Sequence, residues 1–451
     1  MTASARDLAL ATPPGRDRYV DLLRVASLGT VIGGHWLMAA VSGDGIGNLL
    51  ALVPGLQVLT WGLQVMPVFF FVGGFSHALS YRSLARRSDP AASVYAAFLR
   101  ARLRRLLRPT LVFVLVWAAA ALAVQLAGHG GGRLTGAALR MVTQPLWFIG
   151  IYLAMVAFTP PLVKLHERHG WAAFAALAGS AALVDVLRFA FGVPYVEFLN
   201  FALVWLAVHQ LGFLRADGRI RRPAVLAAAG LAGAVLLVAY GPYPLSMVGM
   251  PGEKVSNMAP PTLALLAHAL WLVGAVQLLA RPAAAWLERP RVWRGVVAAN
   301  GVAMTAFLWH LTAMLGVYGA QLALGVDLPA PAGAAWWAQV PVRILAASAL
   351  TAGFVALFRR FEAAPAAPAA PAEPHTPAAG GVGGLVAALG ITLCLLGILG
   401  LSMTGLGGLL DGHSATLIAF PVTAPVAIGM ALAGALLVER SAPARSVRLG
   451  G

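Results

Sequence analysis

The sequence predicts an all-α protein that crosses a membrane many times. Its 451 residues are 60% hydrophobic and only 11% charged, and its mean hydropathy is +0.81. Soluble domains carry about a quarter charged residues, so a water-exposed surface cannot accommodate this composition. The apolar residues also come in repeated runs of about 18 to 25, the length that spans the hydrocarbon core of a bilayer. Lipid is therefore the predicted surrounding of most of the chain.

Twelve apolar runs are long enough to be membrane helices. They cover residues 19–41, 57–80, 110–128, 143–161, 171–189, 196–214, 224–241, 260–280, 295–318, 335–358, 382–403 and 415–438. A Pro/Ala-rich segment at 363–380 precedes the last two runs and cannot bury a core of its own. The predicted domains are a disordered cytoplasmic N-terminus at 1–15, a ten-helix membrane domain at 16–360, a cytoplasmic linker at 361–380, two further helices at 381–440 and a cytoplasmic tail at 441–451.

The basic residues indicate how the chain is oriented in the membrane. The net charge is +16, and most Lys and Arg residues lie in alternate connections between the predicted helices. The richest connection, between the second and third helices, holds Arg82, Arg86, Arg87, Arg100, Arg102, Arg104, Arg105 and Arg108. The intervening connections hold little beyond Arg133, Arg140, Arg188, Lys254 and Arg343. This is the positive-inside pattern, which places both termini in the cytoplasm and predicts no nucleic-acid partner.

The first predicted helix carries the most polar groups. Ionisable residues inside a membrane are costly and are therefore candidates for function. Arg24 and His35 are eleven positions apart, about three helical turns, so they share one face, and Asp21 falls on the same stripe. Such a stripe is expected to face the interior of the helix bundle. Three small residues of this helix are expected to let another helix approach closely: Gly29, Gly33 and Gly34.

Five motifs in order resemble the acyltransferase 3 family of membrane acyltransferases. They are the Arg-x10-His of the first helix, PVFFFVGGF at 67–75, RLRRLLRP at 102–109, PLWFIGIYL at 145–153 and FLWHL at 307–311. Two further segments, NFALVWLAVHQLGFL at 200–214 and SMVGMPGEKVSNMAPPT at 246–262, look like the branch of the family common in high-GC bacteria. The resemblance covers roughly residues 16 to 358 and leaves out the last two helices.

The resemblance implies a fold, an activity and a set of partners. It implies a ten-helix bundle in the bacterial cytoplasmic membrane that takes an acyl group, usually acetyl from acetyl-CoA. The acceptor is a hydroxyl of a carbohydrate, a glycolipid or another cell-surface or secreted molecule. The family's helix-one Arg and His map onto Arg24 and His35. Its cytoplasmic Arg-x-x-Arg maps most naturally onto Arg105 and Arg108, although Arg102 and Arg105 have the same spacing.

These residue types suit that chemistry. A hydroxyl attacks well only when a base removes its proton, and an imidazole has a suitable pKa, so His35 is the predicted base. Asp21 is predicted to pair with Arg24 so that neither charge is buried alone. Arg24 either holds that carboxylate or contacts the donor. Arg105 and Arg108 are predicted to bind the phosphates of CoA at the cytoplasmic side.

Other polar and aromatic residues are further candidates. The predicted cavity-lining residues are His310, Trp309, Trp147, Asn200 and Glu253. His310 is predicted at a membrane depth similar to that of His35, and an interhelical hydrogen bond is favoured over a role in the same cavity. Asp185 and Arg188 are spaced for a helical ion pair. No cluster of residues has metal-ligand spacing, so no metal is predicted. The GxSxG motif of serine hydrolases is also absent from the sequence.

Two other classes of protein are compatible with a bundle of this kind. A transporter or flippase also uses buried Arg and His residues, and composition alone does not separate it from an enzyme. A non-catalytic membrane scaffold is less favoured, because it has no need of the polar stripe on the first helix. The sequence selects neither a particular acceptor nor an acyl length.

Overall fold

The computed structural model of the chain consists mainly of helices. It describes residues 5–13, 15–42, 45–88, 93–128, 133–250, 253–362, 380–417 and 420–441. The helices of the first half are α1 (Ala5–Leu10), α2 (Arg18–Met38), α3 (Leu49–Leu52), α4 (Thr60–Leu63), α5 (Met66–Ala85), α6 (Val94–Leu126), α7 (Arg133–Met141), α8 (Leu146–His169) and α9 (Trp171–Phe189).

The second half continues in the same way. Its helices are α10 (Asn200–Ala216), α11 (Pro223–Tyr240), α12 (Leu263–Leu278), α13 (Ala280–Leu287), α14 (Pro290–Asn300), α15 (Ala303–Ala323), α16 (Ala334–Phe358), α17 (Gly380–Thr404) and α18 (Ala424–Arg440). Short 3-10 helices lie at Pro54–Leu59, Val196–Leu199 and Arg359–Phe361. Two antiparallel hairpins pair β1 (Ala39–Ser42) with β2 (Gly45–Asn48), and β3 (Ser414–Leu417) with β4 (Phe420–Thr423).

The helices confirm the prediction of an all-α polytopic membrane protein. In the described part of the chain, nine helical segments are long and apolar enough to cross a membrane. The count is ten if α12 and α13, which meet at a bend of 49°, form one broken span. The first and last of the twelve predicted helices correspond to α2 and α18, which are not in that count. The polar side chains of α2 lower its mean hydropathy, and α18 has only 17 residues.

Polar side chains at the helix starts explain where several helices begin. The Asp17 carboxylate accepts a hydrogen bond from the Val20 backbone N–H at 3.1 Å at the start of α2. Ser93 and Thr262 accept from backbone N–H groups in the same way at the starts of α6 and α12. The first N–H groups of a helix lack intrahelical partners, so such caps stabilise these starts by roughly 1 kcal/mol each.

The described chain divides into two compact units. Unit one comprises Met1–Leu79 and Pro161–Ala352, and unit two comprises Ser80–Pro160 and Gly353–Gly451. The predicted domain division at residues 360 and 361 stays a prediction. Most of the predicted linker and tail, at 363–379 and 442–451, lie outside the described residues.

Part of the N-terminal segment is helical, and the disorder predicted for residues 1–15 stays a prediction. Within it, Ala5–Leu10 forms the short helix α1, which packs against α14. The indole Nε1 of Trp293 also donates a hydrogen bond to the Thr12 hydroxyl at 3.0 Å. Packing against a folded neighbour thus orders a polar segment that has little tendency to fold alone.

The core of unit one is tightly packed where α5 meets α10. Phe70 and Trp205 are fully buried, with ring centroids 4.7 Å apart. Gly74 and Gly212 lie where the two backbones touch, and a Cβ at either position would collide with the facing main chain. Small residues of this kind allow close helix packing in membranes.

The glycines of α2 do not form such a crossing. No described atom lies within 4 Å of a Cβ built at Gly29, Gly33 or Gly34. The expectation that another helix approaches closely at these positions was therefore wrong. The small residues leave open space beside α2, because the helices that contact it do so through other positions.

Candidate active site

Helices α2 and α15 bring two histidines of unit one into direct contact. His35 Nδ1 lies 2.8 Å from His310 Nε2, and the two ring planes are within 11° of each other. The Trp36 indole donates a further hydrogen bond to the His310 carbonyl oxygen at 3.0 Å. The pair is 275 positions apart in sequence. Its contact matches the interhelical hydrogen bond favoured for His310 and also joins that residue to the predicted base.

The backbone of α15 decides which nitrogen carries each proton. His310 Nδ1 lies 2.5 Å from the Phe307 carbonyl oxygen, which can only accept, so Nδ1 carries the hydrogen. In the neutral ring His310 Nε2 is then an acceptor, and His35 Nδ1 must donate to it. The remaining nitrogen, His35 Nε2, has no hydrogen-bond partner among the residues that the structure describes, so its lone pair is free. This order of donors and acceptors therefore leaves His35 Nε2 as the nitrogen of the pair that can accept a proton.

The two histidines differ in accessibility. His310 is fully buried, whereas His35 is only half-buried. A substrate can therefore reach His35 but not His310. Such an arrangement can take up a proton at His35 Nε2, while the bond to His310 restricts the orientation of the His35 ring.

The predicted pair of Asp21 and Arg24 is present near the start of α2. Arg24 Nη1 lies 3.2 Å from Asp21 Oδ1, and Arg24 Nη2 donates to the Ser76 hydroxyl at 3.1 Å. A second cation, Arg16, contacts the other carboxylate oxygen of Asp21 at 2.5 Å. Asp21 is only 5% exposed, so the two guanidinium groups compensate a buried negative charge. Arg24 and His35 stand about 16 Å apart along the helix and do not touch.

In unit two, α6 carries the Arg-rich segment. Glu439 of α18 binds two of its residues, because Arg104 contacts both carboxylate oxygens at 2.6 and 2.7 Å and Arg100 contacts one at 3.2 Å. This bidentate pairing of Arg104 was not predicted from sequence, since spacing along α6 gives no information about α18. The two C-terminal helices thus contact the basic segment directly.

The three predicted phosphate-binding arginines have different surroundings. Arg105 and Arg108 are exposed, whereas Arg102 is half-buried with its guanidinium 5.9 Å from the centre of the Phe98 ring. The Arg108 guanidinium lies at the same distance from the Phe361 ring. Among the described residues, Arg105 makes no hydrogen bond or ion pair. Of the two possible registers, Arg105 and Arg108 are therefore the more accessible pair.

The predicted ion pair of Asp185 and Arg188 was wrong. Among the described residues, Arg188 forms no ion pair within 4 Å, and the Asp185 carboxylate instead accepts three hydrogen bonds from other segments. These come from the Asn200 amide at 2.9 Å, the Tyr243 hydroxyl at 3.0 Å and the Leu263 backbone N–H at 2.7 Å. Asn200, a predicted cavity-lining residue, is fully buried in this network. Its amide therefore joins helices, and no acceptor can reach it.

The other predicted cavity-lining residues are scattered. Trp309 is buried beside His310 in α15, and Trp147 is half-buried at the start of α8 in unit two. Glu253 lies in the connection between α11 and α12, and partial burial raises the pKa of its carboxyl above the ordinary value. Within the described residues, no three His, Cys, Asp or Glu side chains are gathered as metal ligands would be.

One residue near the histidine pair was missed as a functional candidate. Arg343 was counted with the basic residues of the outer connections, yet it lies within α16 and is only 7% exposed. A small recess in unit one is lined by Arg343, Tyr318, Trp336 and Trp36, the neighbour of His35. The signal in the sequence was a lone Arg inside an apolar run.

The chain was also compared with known proteins. A family model described as an acyltransferase domain matches residues 17–360. The match extends from the start of α2 through α16 and leaves out α17 and α18, and it covers about three quarters of the chain. No curated protein and no solved structure matches.

Proposed function

The chain belongs to the acyltransferase 3 family and is a multi-pass membrane acyltransferase, and from that premise we propose the reaction it performs. It transfers an acyl group, usually acetyl, from acyl-CoA to a hydroxyl of a carbohydrate, glycolipid or other cell-surface or secreted acceptor. The observation that carries this proposal is the hydrogen-bonded pair of His35 and His310, which leaves a lone pair at a reachable nitrogen.

The proposed step begins at His35. Its Nε2 takes the proton of the acceptor hydroxyl while the hydroxyl oxygen attacks the thioester carbonyl carbon. The tetrahedral intermediate then collapses, the carbon–sulfur bond breaks and the CoA thiolate leaves. The imidazolium of His35 returns the proton to that sulfur. One carbon–oxygen bond has replaced one carbon–sulfur bond, and the histidine is ready for another cycle.

His310 acts in this scheme as a positioning residue. Its bond to Phe307 fixes its own tautomer, and its bond to His35 holds the second ring with Nε2 directed away from the pair. The arrangement follows the logic of a catalytic triad, in which a buried third group orients the histidine that moves the proton. Here the third group is a neutral imidazole supported by a main-chain carbonyl.

The charges near the start of α2 support a role toward the donor. Arg16 and Arg24 share the single carboxylate of Asp21, so the cluster keeps one positive charge. We infer that this surplus charge attracts the anionic phosphates of acyl-CoA, while Asp21 holds the Arg24 side chain in place. Both termini are proposed to be cytoplasmic in a bacterial cytoplasmic membrane, where the acyl-CoA pool is available.

Arg108 is the residue whose substitution tests the proposed donor site. We expect Arg108→Ala to raise the KM for acetyl-CoA while leaving the KM for the acceptor unchanged, because Arg108 is exposed and free to bind phosphate. The expected rise of this KM is about 10-fold, which corresponds to the loss of one charge-assisted hydrogen bond. Arg108→Lys should rescue only partly, since it keeps the charge but loses the planar guanidinium. Steady-state kinetics with each substrate varied in turn measures both constants.

A matched control for this experiment is Arg86→Ala. Arg86 is an exposed arginine of the same unit near the end of α5, and it carries the same charge. We expect it to leave both constants unchanged. A change in the acceptor constant on Arg108→Ala, or an equal effect of the two substitutions, would show that Arg108 is not a phosphate ligand.

The activity itself is tested with purified protein and acetyl-CoA labelled in the acetyl group. We expect release of free CoA thiol together with appearance of the label in a covalent product. Mass spectrometry of surface glycans and lipids, from cells with and without the protein, then identifies the acceptor by a lost acyl mass. Movement of a solute across vesicles without any covalent product would indicate a transporter or flippase and would refute the proposal.

A further inference from the structure

Arg343 is a buried cation without an ion-pair partner in the described part of the chain. It lies in α16 and is only 7% exposed. Its Nη2 donates a hydrogen bond to the Gln339 amide oxygen at 2.5 Å, and its guanidinium lies 5.0 Å from the Tyr318 ring centre and 5.9 Å from that of Trp336. Its other two nitrogens, Nε and Nη1, are buried without a hydrogen-bond partner among the described residues.

This arrangement leaves the positive charge incompletely compensated. A charge within a membrane helix is costly unless it is paired, and the amide and rings around Arg343 are all neutral. Ring faces attract a cation, and the Tyr318 hydroxyl interacts with the Arg343 guanidinium as a neutral hydrogen-bond partner, but neither supplies a negative charge. Among the described residues, no carboxylate lies within ion-pair distance of Arg343. The side chain therefore has the capacity to donate to an oxyanion that comes from outside the chain.

The surroundings of Arg343 define what else such a ligand contains. Arg343 is the charged residue among those that line the recess, and the other lining side chains include Trp36, Met314, Val317, Tyr318 and Trp336. Apolar and aromatic walls with one orienting polar group are typical of sites for small organic ligands. The lining residue Trp36 also donates to the His310 carbonyl oxygen, so the recess adjoins the histidine pair.

We propose that this recess binds the acceptor through an oxyanion, a phosphate or a carboxylate, which Arg343 holds beside an apolar portion that packs on Trp36 and Trp336. The identification of this ligand as the acceptor rests on the proposed function. The binding of a molecule with an anionic group and an apolar portion does not depend on that function. The proposal narrows the acceptor class to hydroxyl compounds that also carry an anionic group and an apolar part.

The test measures binding in the absence of any acyl donor, so its result is independent of acyl transfer. The full-length protein is purified in an uncharged detergent and titrated with hexyl phosphate, hexanoate, hexanol and inorganic phosphate by microscale thermophoresis. We expect hexyl phosphate or hexanoate to bind about tenfold or more tightly than hexanol, as for a charge-assisted hydrogen bond. Inorganic phosphate should bind more weakly, because it lacks the apolar part.

Two substitutions assign the effect to Arg343. Arg343→Gln should abolish the preference for the anionic probes, and Arg343→Lys should retain part of it. Arg359→Gln removes the same charge from an exposed position after the end of α16 and should bind as the wild type does, which also controls for partition into micelles.

Several results would overturn the proposal. If the wild-type protein binds hexanol as tightly as both anionic probes, the oxyanion site is excluded. This conclusion does not depend on whether any variant folds. Inorganic phosphate binding as tightly as hexyl phosphate would exclude the apolar contact. An unchanged preference in Arg343→Gln would assign the anion to another residue. Anionic binding at Arg343 without acyl transfer to any acceptor would leave the recess established and refute the proposed function instead.

Discussion

Replacing His35 with alanine is expected to reduce acyl transfer by about 10²- to 10⁴-fold, the usual contribution of a general base. The reason is the free lone pair on Nε2, the atom of the His35–His310 pair that a substrate can reach and protonate. The protein should remain folded and inserted in the membrane, because an interhelical hydrogen bond contributes on average only about 0.6 kcal/mol. Initial rates with labelled acetyl-CoA, normalised to purified protein, measure the loss.

Two further variants separate catalysis from structure. His35→Gln can keep a hydrogen bond but cannot act as a base near neutral pH, so it should be nearly as inactive as His35→Ala. His268→Gln is the control, because His268 is a histidine of the same unit that also bonds to another segment, through Nε2 to the Trp61 carbonyl oxygen at 2.9 Å. A near-normal rate in His35→Gln, or an equal loss in His268→Gln, would mean that His35 has a structural role only.

Replacing His310 with alanine is expected to lower kcat by about 10- to 100-fold with little change in either KM. Hydrogen-bond partners that orient a reactive histidine, known best from metal sites, contribute effects of this size. Without His310, the His35 ring loses the acceptor for its Nδ1 proton and samples both tautomers and several orientations. Steady-state kinetics with each substrate varied in turn measures kcat and both KM values.

A conservative variant tests whether His310 acts through its acceptor nitrogen. The amide oxygen of Gln reaches roughly the position of His310 Nε2 and can accept the His35 Nδ1 proton. His310→Gln should therefore retain clearly more activity than His310→Ala. If the two variants are equally impaired, or if both KM values change with kcat, His310 supports the packing of α15 and not the orientation of His35.

Local spacing was enough to predict part of the site. The pair of Asp21 and Arg24 follows from two residues three apart on one helix, and the structure contains it. The contact between His35 and His310 depends on how α2 packs against α15. From sequence, His310 could be placed at a similar membrane depth and given an interhelical hydrogen bond, but His35 could not be identified as the partner. The additional partner Arg16 was missed because it lies in the connection before α2, where helical periodicity gives no position.

The failures have a common physical origin in tertiary contacts. The spacing of Asp185 and Arg188 favours an ion pair, but neutral donors from three other segments fill the Asp185 carboxylate. Arg343 was grouped with loop charges because counting basic residues by connection ignores one that lies inside a helix. The positions of the helices could be predicted because each depends on a long apolar run in one stretch of sequence. The side-chain partners between helices could not be predicted, because they depend on how distant segments pack.

The bond from His310 to Phe307 has a consequence for how sequences of this family diverge. Phe307 contributes its main-chain oxygen to the pair, and any residue that continues the helix supplies the same atom. Substitution at position 307 is therefore limited by packing, which includes the contact of the Phe307 ring with the His310 ring at 5.6 Å between centroids. Positions 35 and 310 depend on each other through their side chains, so a lineage that loses one histidine no longer has a reason to keep the other. The two histidine positions are expected to vary together among relatives, whereas any helical residue at 307 keeps the carbonyl oxygen that the pair uses.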